Sequence, residues 1–253
     1  MRRLGDVDKA CLDRQTRYRH VMTKKILKKE LPDAIRDEGG IKVVMAPTEQ
    51  IPKGLPAAWS KVLRSNDPVR TTLEEIWHPW QQQVPRTIEA LQSALRGIAL
   101  LQTGETAASL LYVFEDDGER FFHRGYRSGS IKGDTCGLSA KELSSRLPAK
   151  FLDLYKIHDG WPDGLGVGLL PSRGWFDLTC IYDDDELSEV VPGVPLEDFL
   201  VVWEQDSRYL GFDMTKKRPR CLAWEAGEPH EVVPNIVTWL DEEWAQQIAD
   251  FSD

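Results

Sequence analysis

The sequence predicts an α+β fold, an antiparallel-rich sheet flanked by helices. Apolar residues recur at three- to four-residue steps in several early segments and again over 236–248. Short β-rich runs separated by Gly, Pro and Asp crowd the stretch between 167 and 233. Helices come first, then a strand meander, then a helix, which is not the alternating pattern of a parallel sheet.

In residues 1–36, Tyr18, Val21, Met22, Ile26, Leu27 and Leu31 fall on one helical face, with Lys and Arg opposite. That basic face reads either as a nucleic-acid or acidic-lipid contact, or as a solvated face or an arm folding back on the acidic half. Glu38-Gly39-Gly40 closes the segment, and Ile41–Met45 suits a short strand. Prolines and a glycine between Ala46 and Pro56 mark a loop, and Pro56 then opens a helix through Trp59. Thr71 or Thr72 can cap the next segment, which carries Leu73, Ile76, Trp77 and Trp80. Thr87–Leu101 is expected to be one amphipathic helix through Ile88, Leu91, Leu95 and Ile98. A hairpin follows, 109–114 against 119–124, turning at Asp116-Asp117-Gly118. Four glycines in 125–137 form a connector. The expected division is therefore 1–135, a mainly helical region with one hairpin (109–124), and 136–253, a second domain.

That second part opens with a capping box, Ser139 with Glu142. Leu147-Pro148 starts another helix, with Phe151, Leu154, Tyr155 and Ile157 on its apolar face and Asp159-Gly160 as its stop. Strands are expected at Val167–Leu170, Trp175–Ile181, Phe199–Glu204, Tyr209–Phe212, Arg220–Trp224 and His230–Val233. Asn235 caps a last helix carrying Ile236, Val237, Trp239, Leu240, Trp244 and Ile248.

Composition narrows the class. With 253 residues, 41% hydrophobic and 29% charged, the chain can bury a sizeable core and is neither a disordered tail nor a coiled coil. No run approaches the ~18 apolar residues of a bilayer span, and the opening Met1–Asp6 is not a secretory signal pattern. Cys11, Cys136, Cys180 and Cys221 stand far apart, which fits reduced thiols in a cytoplasmic protein and not a zinc ribbon. Charge is segregated: residues 1–135 hold 22 basic and 18 acidic side chains, residues 136–253 hold 10 and 23. An acidic half repels phosphate and favours a basic partner, so no direct nucleic-acid binding is expected.

Leu147-Pro148-x-x-Phe151-Leu152-x-x-Tyr155-x-x-x-Asp159-Gly160-Trp161, with Gly168–Pro171, Phe199–Trp203, Arg208–Asp213 and Ile236–Leu240, resembles the SMI1/KNR4-like family of the SUKH superfamily. The likeness covers roughly residues 138–245 and rests on apolar positions that set the fold. It implies a SUKH-like domain over 136–253. In bacteria it implies an immunity protein, a cytoplasmic partner that neutralises a cognate toxin of a type VI or contact-dependent system, often a nuclease. Fungal relatives imply the alternative, a regulatory scaffold binding a housekeeping protein. Neither role needs catalysis.

The residues agree that no catalytic constellation stands out. The five histidines have no partner at a metal-ligand spacing, and His158 reads as a cationic ring at a helix C-terminus. Gly164-x-Gly166-x-Gly168 precedes a strand and lacks the dinucleotide spacing. No cofactor and no metal is expected. Asp183-Asp184-Asp185-Glu186 reads as a solvated loop, a docking surface for a basic partner or, least well, a metal site, since neighbouring side chains diverge. Trp161 and Trp175 flank a glycine-rich segment beside Asp159, Asp163 and Asp177, either as exposed interface anchors or as packing under the loop. The candidate toxin-binding set is therefore Asp159, Trp161, Asp163, Trp175, Asp183, Asp184, Asp185, Glu186 and Glu204, on a surface that meets a basic toxin domain.

Overall fold

The computed structural model describes residues 27, 29–36, 41–103, 107–116, 119–131, 134–164, 166–182, 193–225 and 230–250. Most of the helix read over 1–36 lies outside them. Helix α1 (Asp33–Arg36) is followed by strand β1 (Ile41–Met45), helices α2 (Ala57–Arg64), α3 (Pro68–Thr72) and α4 (Pro85–Ala94), then strands β2 (Leu95–Thr103), β3 (Ala107–Asp116) and β4 (Glu119–Tyr126). The four strands form one antiparallel sheet in chain order. The β3–β4 hairpin runs from Ser109 opposite Tyr126 to Asp116 opposite Glu119; residues 117 and 118 of its expected turn are outside the described set.

Two expectations for this region are corrected. The helix read over Thr87–Leu101 ends at Ala94, and Leu95–Thr103 is the strand β2. From Ile98 to Leu101 every residue is buried, so both sides of the strand are covered. A continuous apolar run of that kind fits a buried strand as well as a helix. The cap expected at Thr71 or Thr72 is Asp67, whose Oδ1 accepts from Arg70 N at 3.0 Å. Both threonines lie inside α3, the second of them buried.

After residue 136 most expected elements recur, but the strand read over Trp175–Ile181 is corrected: only Phe176–Asp177 is strand, and Leu178–Cys180 is a 3-10 turn started by Asp177, whose carboxylate accepts from Thr179 N. Helices α5 (Ala140–Arg146) and α6 (Ala149–Leu154) precede strands β5 (Trp161–Pro162), β6 (Gly168–Leu169), β7 (Phe176–Asp177), β8 (Phe199–Gln205), β9 (Arg208–Asp213), β10 (Arg220–Glu225) and β11 (Glu231–Val232), and helix α7 (Ile236–Ala249) closes the described chain. The Ser139–Glu142 capping box is present, and Asn235 Oδ1 accepts from Val237 N at 3.2 Å. The strands form a second antiparallel sheet ordered β11-β10-β9-β8-β6-β5, with β7 also paired to β8.

The two sheets meet along β4. Tyr126 N donates to Gly160 O at 3.3 Å, Asp159 N donates to Tyr126 O at 3.1 Å, and His123 bridges to Asp163. Gly160 is required at this seam. Its φ is +86°, and an added Cβ would lie 2.3 Å from Pro171 N. The hydrophobic core also crosses the boundary expected at 135/136, joining Trp59, Trp77 and Tyr112 to Trp161, Leu240 and Trp244. Sharing continues in polar contacts. Helix α4 begins at Pro85 without a side-chain cap of its own. Asp241 of α7, 4% exposed, supplies one: its carboxylate accepts from Thr87 N at 2.8 Å, Thr87 Oγ1 at 2.8 Å and Arg86 N at 3.2 Å. Free N–H groups at a helix start attract an anion, so this contact ties the last helix to the first half.

Candidate functional site

The structure divides the candidate residues into two groups. Asp159 is 7% exposed and its Oδ1 accepts from Ser172 N at 2.8 Å, holding the loop after β6. Trp161 is 2% exposed and lies between Trp77, with ring centroids 4.9 Å apart, and Trp244, at 5.3 Å. Trp175 is buried, and its Nε1 donates to Tyr155 Oη at 2.9 Å. Of the two readings for Trp161 and Trp175, the structure shows packing, not exposed anchors. Asp163 is half-buried; its Oδ1 accepts from Val167 N at 2.9 Å and shapes the β5–β6 turn.

Around Trp161 lies a polar thread the sequence did not reveal. Trp77 Nε1 donates to Tyr112 Oη at 3.1 Å, and Tyr112 Oη lies 2.6 Å from His158 Nε2. The tyrosine hydroxyl accepts from the indole and donates to the imidazole, which places the ring proton of His158 on Nδ1. His158 is 2% exposed, and its ring lies against Gly125, where an added Cβ would fall 2.6 Å from it. Burial pushes this imidazole down to about 3, against the opposing pull of the Tyr126 backbone. His123, fully buried beside Phe114 and Trp161, is likewise pushed down by burial to about 4. Burial raises the Tyr112 phenol. The expectation of a cationic His158 capping a helix is therefore corrected: the ring is neutral and enclosed. The cluster draws on positions 77, 112, 123, 158, 161 and 244, so no local pattern announces it.

Of the remaining acidic candidates, Glu204 is described and lies at the turn end of β8 and β9. Glu204, opposite Tyr209 in the ladder, is half-buried, and burial raises its carboxyl. Tyr209 stacks on Trp224 with centroids 5.5 Å apart and planes at 18°, and Tyr182 meets Trp224 edge-on at 5.8 Å. Burial first, then Tyr182 and Glu204, raises the Tyr209 phenol. Asp183, Asp184, Asp185 and Glu186 lie outside the described residues, but they follow Tyr182 directly. Tyr182, the last described residue before the run, is seated on this aromatic platform. Exposed Asp206, at φ +52°, occupies the β8–β9 turn, and exposed Glu225 ends β10.

Among the described residues, no group of three or more His, Cys, Asp or Glu is arranged to hold a metal ion, and no helix is long and apolar enough to cross a membrane. Compared with protein families, curated proteins and solved structures, the chain has no match.

Proposed function

We propose that this chain is a non-catalytic, cytoplasmic immunity protein of the SMI1/KNR4-like kind. In this reading residues 136–253 form the SUKH-like domain, and the partner is a cognate secreted toxin domain, a basic nuclease effector of a type VI or contact-dependent system. The protein binds the toxin and occludes its active site. One observation carries the proposal: Tyr182, which directly precedes the acidic run in the sequence, packs on Trp224 in the same face as Tyr209 and Glu204. A nuclease cleft is cationic because it holds phosphate. Carboxylates grouped on a rigid sheet end attract such a cleft, speed encounter and exclude its substrate.

Further support comes from how the reactive side chains are engaged. His123 and His158 are enclosed in the core, while Asp159 and Asp241 accept backbone amides. Each has a structural task that turnover would disturb.

The test combines the purified chain with the toxin domain encoded beside its gene. The expected Kd is about nM or lower, roughly −12 kcal/mol, with loss of nuclease activity on saturation. Glu204→Lys with Asp206→Lys should slow association by about tenfold at low salt and change little at high salt. Equal association rates across the salt series would remove this surface from the interface. Turnover of a metabolite by the chain alone, or a cell-wall or signalling partner in place of a toxin, would overturn the immunity reading.

A further inference from the structure

Three strands of the second sheet set a row of side chains on one face. The register puts Glu204 of β8 opposite Tyr209 of β9, and Tyr209 opposite Trp224 of β10. Directly opposed residues of antiparallel strands share a face, so these three side chains are neighbours. Tyr182 meets the indole from the loop after β7, and both Tyr182 and Glu204 act on the Tyr209 phenol. On its other flank Glu204 faces Gly168 of β6, which brings no side chain.

Charge sets Glu204 apart from comparable carboxylates. Half-buried Glu75, Glu115 and Glu243 hold Lys61, Arg120 and Arg208 at 2.6, 3.1 and 3.3 Å. Among the described residues no hydrogen bond or ion pair reaches the Glu204 carboxylate, and burial alone raises it. The nearest arginine along the chain, Arg208, precedes Tyr209 in β9 and so falls on the opposite face. There it lies over Trp203 and Trp239 and pairs with Glu243. Residues 183–192 and 226–229, which follow Tyr182 and Glu225 and lie outside the described set, contain six acidic side chains and no Lys or Arg. A carboxylate taken partly out of water without a counter-charge weakens the fold, and groups perturbed in that way cluster at functional sites.

We propose that Glu204 anchors the partner contact by receiving an arginine side chain of the partner, whose guanidinium pairs with the carboxylate beside Tyr182. The inference rests on the reading above, in which the partner is a basic protein domain. Arginine fits this seat better than lysine. A guanidinium is weakly hydrated, presents a fork of N–H donors to a carboxylate and stacks on aromatic rings, whereas an ammonium is a strongly hydrated point charge.

The probe is the capped pentapeptide Gly-Gly-Arg-Gly-Gly, titrated to millimolar concentration into the isotope-labelled full chain and followed by amide chemical shifts. The lysine and citrulline peptides are the comparisons. Shifts should concentrate on residues 204–209. The arginine peptide should bind about threefold more tightly than the lysine peptide and about tenfold more tightly than the uncharged citrulline peptide. Glu204→Gln should weaken it about fivefold, while Glu89→Gln, at an exposed position of α4, should change it by less than about twofold. Glu204→Gln breaks no hydrogen bond or ion pair, so it should also raise the urea midpoint at neutral pH, whereas a carboxylate with a structural task would lower it.

Equal binding of the three peptides, preference for lysine, shifts away from residues 204–209, unchanged affinity in Glu204→Gln or a lowered urea midpoint would each overturn the inference. So would shifts in residues 1–26 caused by Glu204→Gln without peptide, the mark of the chain's own basic arm on this carboxylate. Arginine binding at Glu204 by a chain that inhibits no toxin overturns the immunity reading alone. Toxin inhibition by a chain indifferent to the arginine peptide overturns this inference alone.

Discussion

Acid should destabilise this protein through two histidines well before its carboxylates titrate. In the folded chain burial holds His123 at about 4 and His158 at about 3. In the unfolded chain both return to about 6.5. The unfolded state therefore binds more protons below that value. The stabilisation these rings give is complete above about pH 6.5, declines as pH falls, and is fully lost only below the folded values. Well below the unfolded value each pH unit is worth about 1.4 kcal/mol per histidine, so between pH 6.5 and 5.0, starting from half-protonation, each ring should cost about 1.6 kcal/mol and the pair about 3. That is a large part of the ~5–15 kcal/mol that holds a typical domain together. Urea unfolding followed by tryptophan fluorescence at half-unit steps measures it, since Trp59, Trp77 and Trp161 pack directly against these rings. His158→Gln keeps an acceptor for Tyr112 and His123→Gln keeps a polar group, while neither titrates. The double variant is compared by its pH dependence: the stability lost between pH 6.5 and 5.0 should fall by about 3 kcal/mol. A slope equal to that of the parent chain would refute the claim that these rings are buried and neutral.

Outcomes at four other sites follow from the same structure. Asp241→Ala removes the cap that α7 provides to α4 and should cost about 2 kcal/mol in urea unfolding, with Asp241→Asn costing less because its amide oxygen can still accept. Gly160→Ala should destabilise by about 3 kcal/mol or more, because positive φ and the Pro171 contact act together. At Gly166, φ is +94° with open space around it, so alanine there should cost only about 1 kcal/mol by the same assay. Tyr182→Ala removes the edge contact with Trp224 and should slow toxin association, measured by stopped flow, while leaving the melting temperature within a few degrees.

Local signals were readable wherever a short stretch of chain closes its own hydrogen bonds. The Ser139–Glu142 box, the Asn235 cap, the β3–β4 hairpin and the strands from Phe199 to Trp224 all stand where residue pattern places them. The Thr87–Leu101 segment misled because Leu95, Ile98 and Leu101 fit a helical stripe, while the buried run from Ile98 to Leu101 needs only a strand covered on both faces. Asp241 shows a signal that could have been used. It shares the stripe of Val237, Leu240, Trp244 and Ile248, and a carboxylate on a buried stripe requires a donor from another element. Trp161 and Trp175 could not be placed from their neighbours, because the aromatic shells around them come from distant positions.

The acidic platform and the Arg220–Asp213 ion pair sit at opposite ends of the same strand. Arg220 begins β10 and pairs across the ladder with Asp213; Glu225 ends it and pairs with Arg208. Six residues of strand span about 17 Å, roughly twice the ~8 Å Debye length at physiological salt. A charge introduced at one end is therefore largely screened at the other, and the two ends can be altered independently. The strand between them is buried in a core shared by both halves of the chain, so a partner bound at the acidic end meets a rigid platform. If a substitution at the Arg220 end changed affinity at the acidic end, screened electrostatics would not account for it. The coupling would have to pass through movement of β10 against β9, which hydrogen exchange at Cys221 and Leu222 would detect.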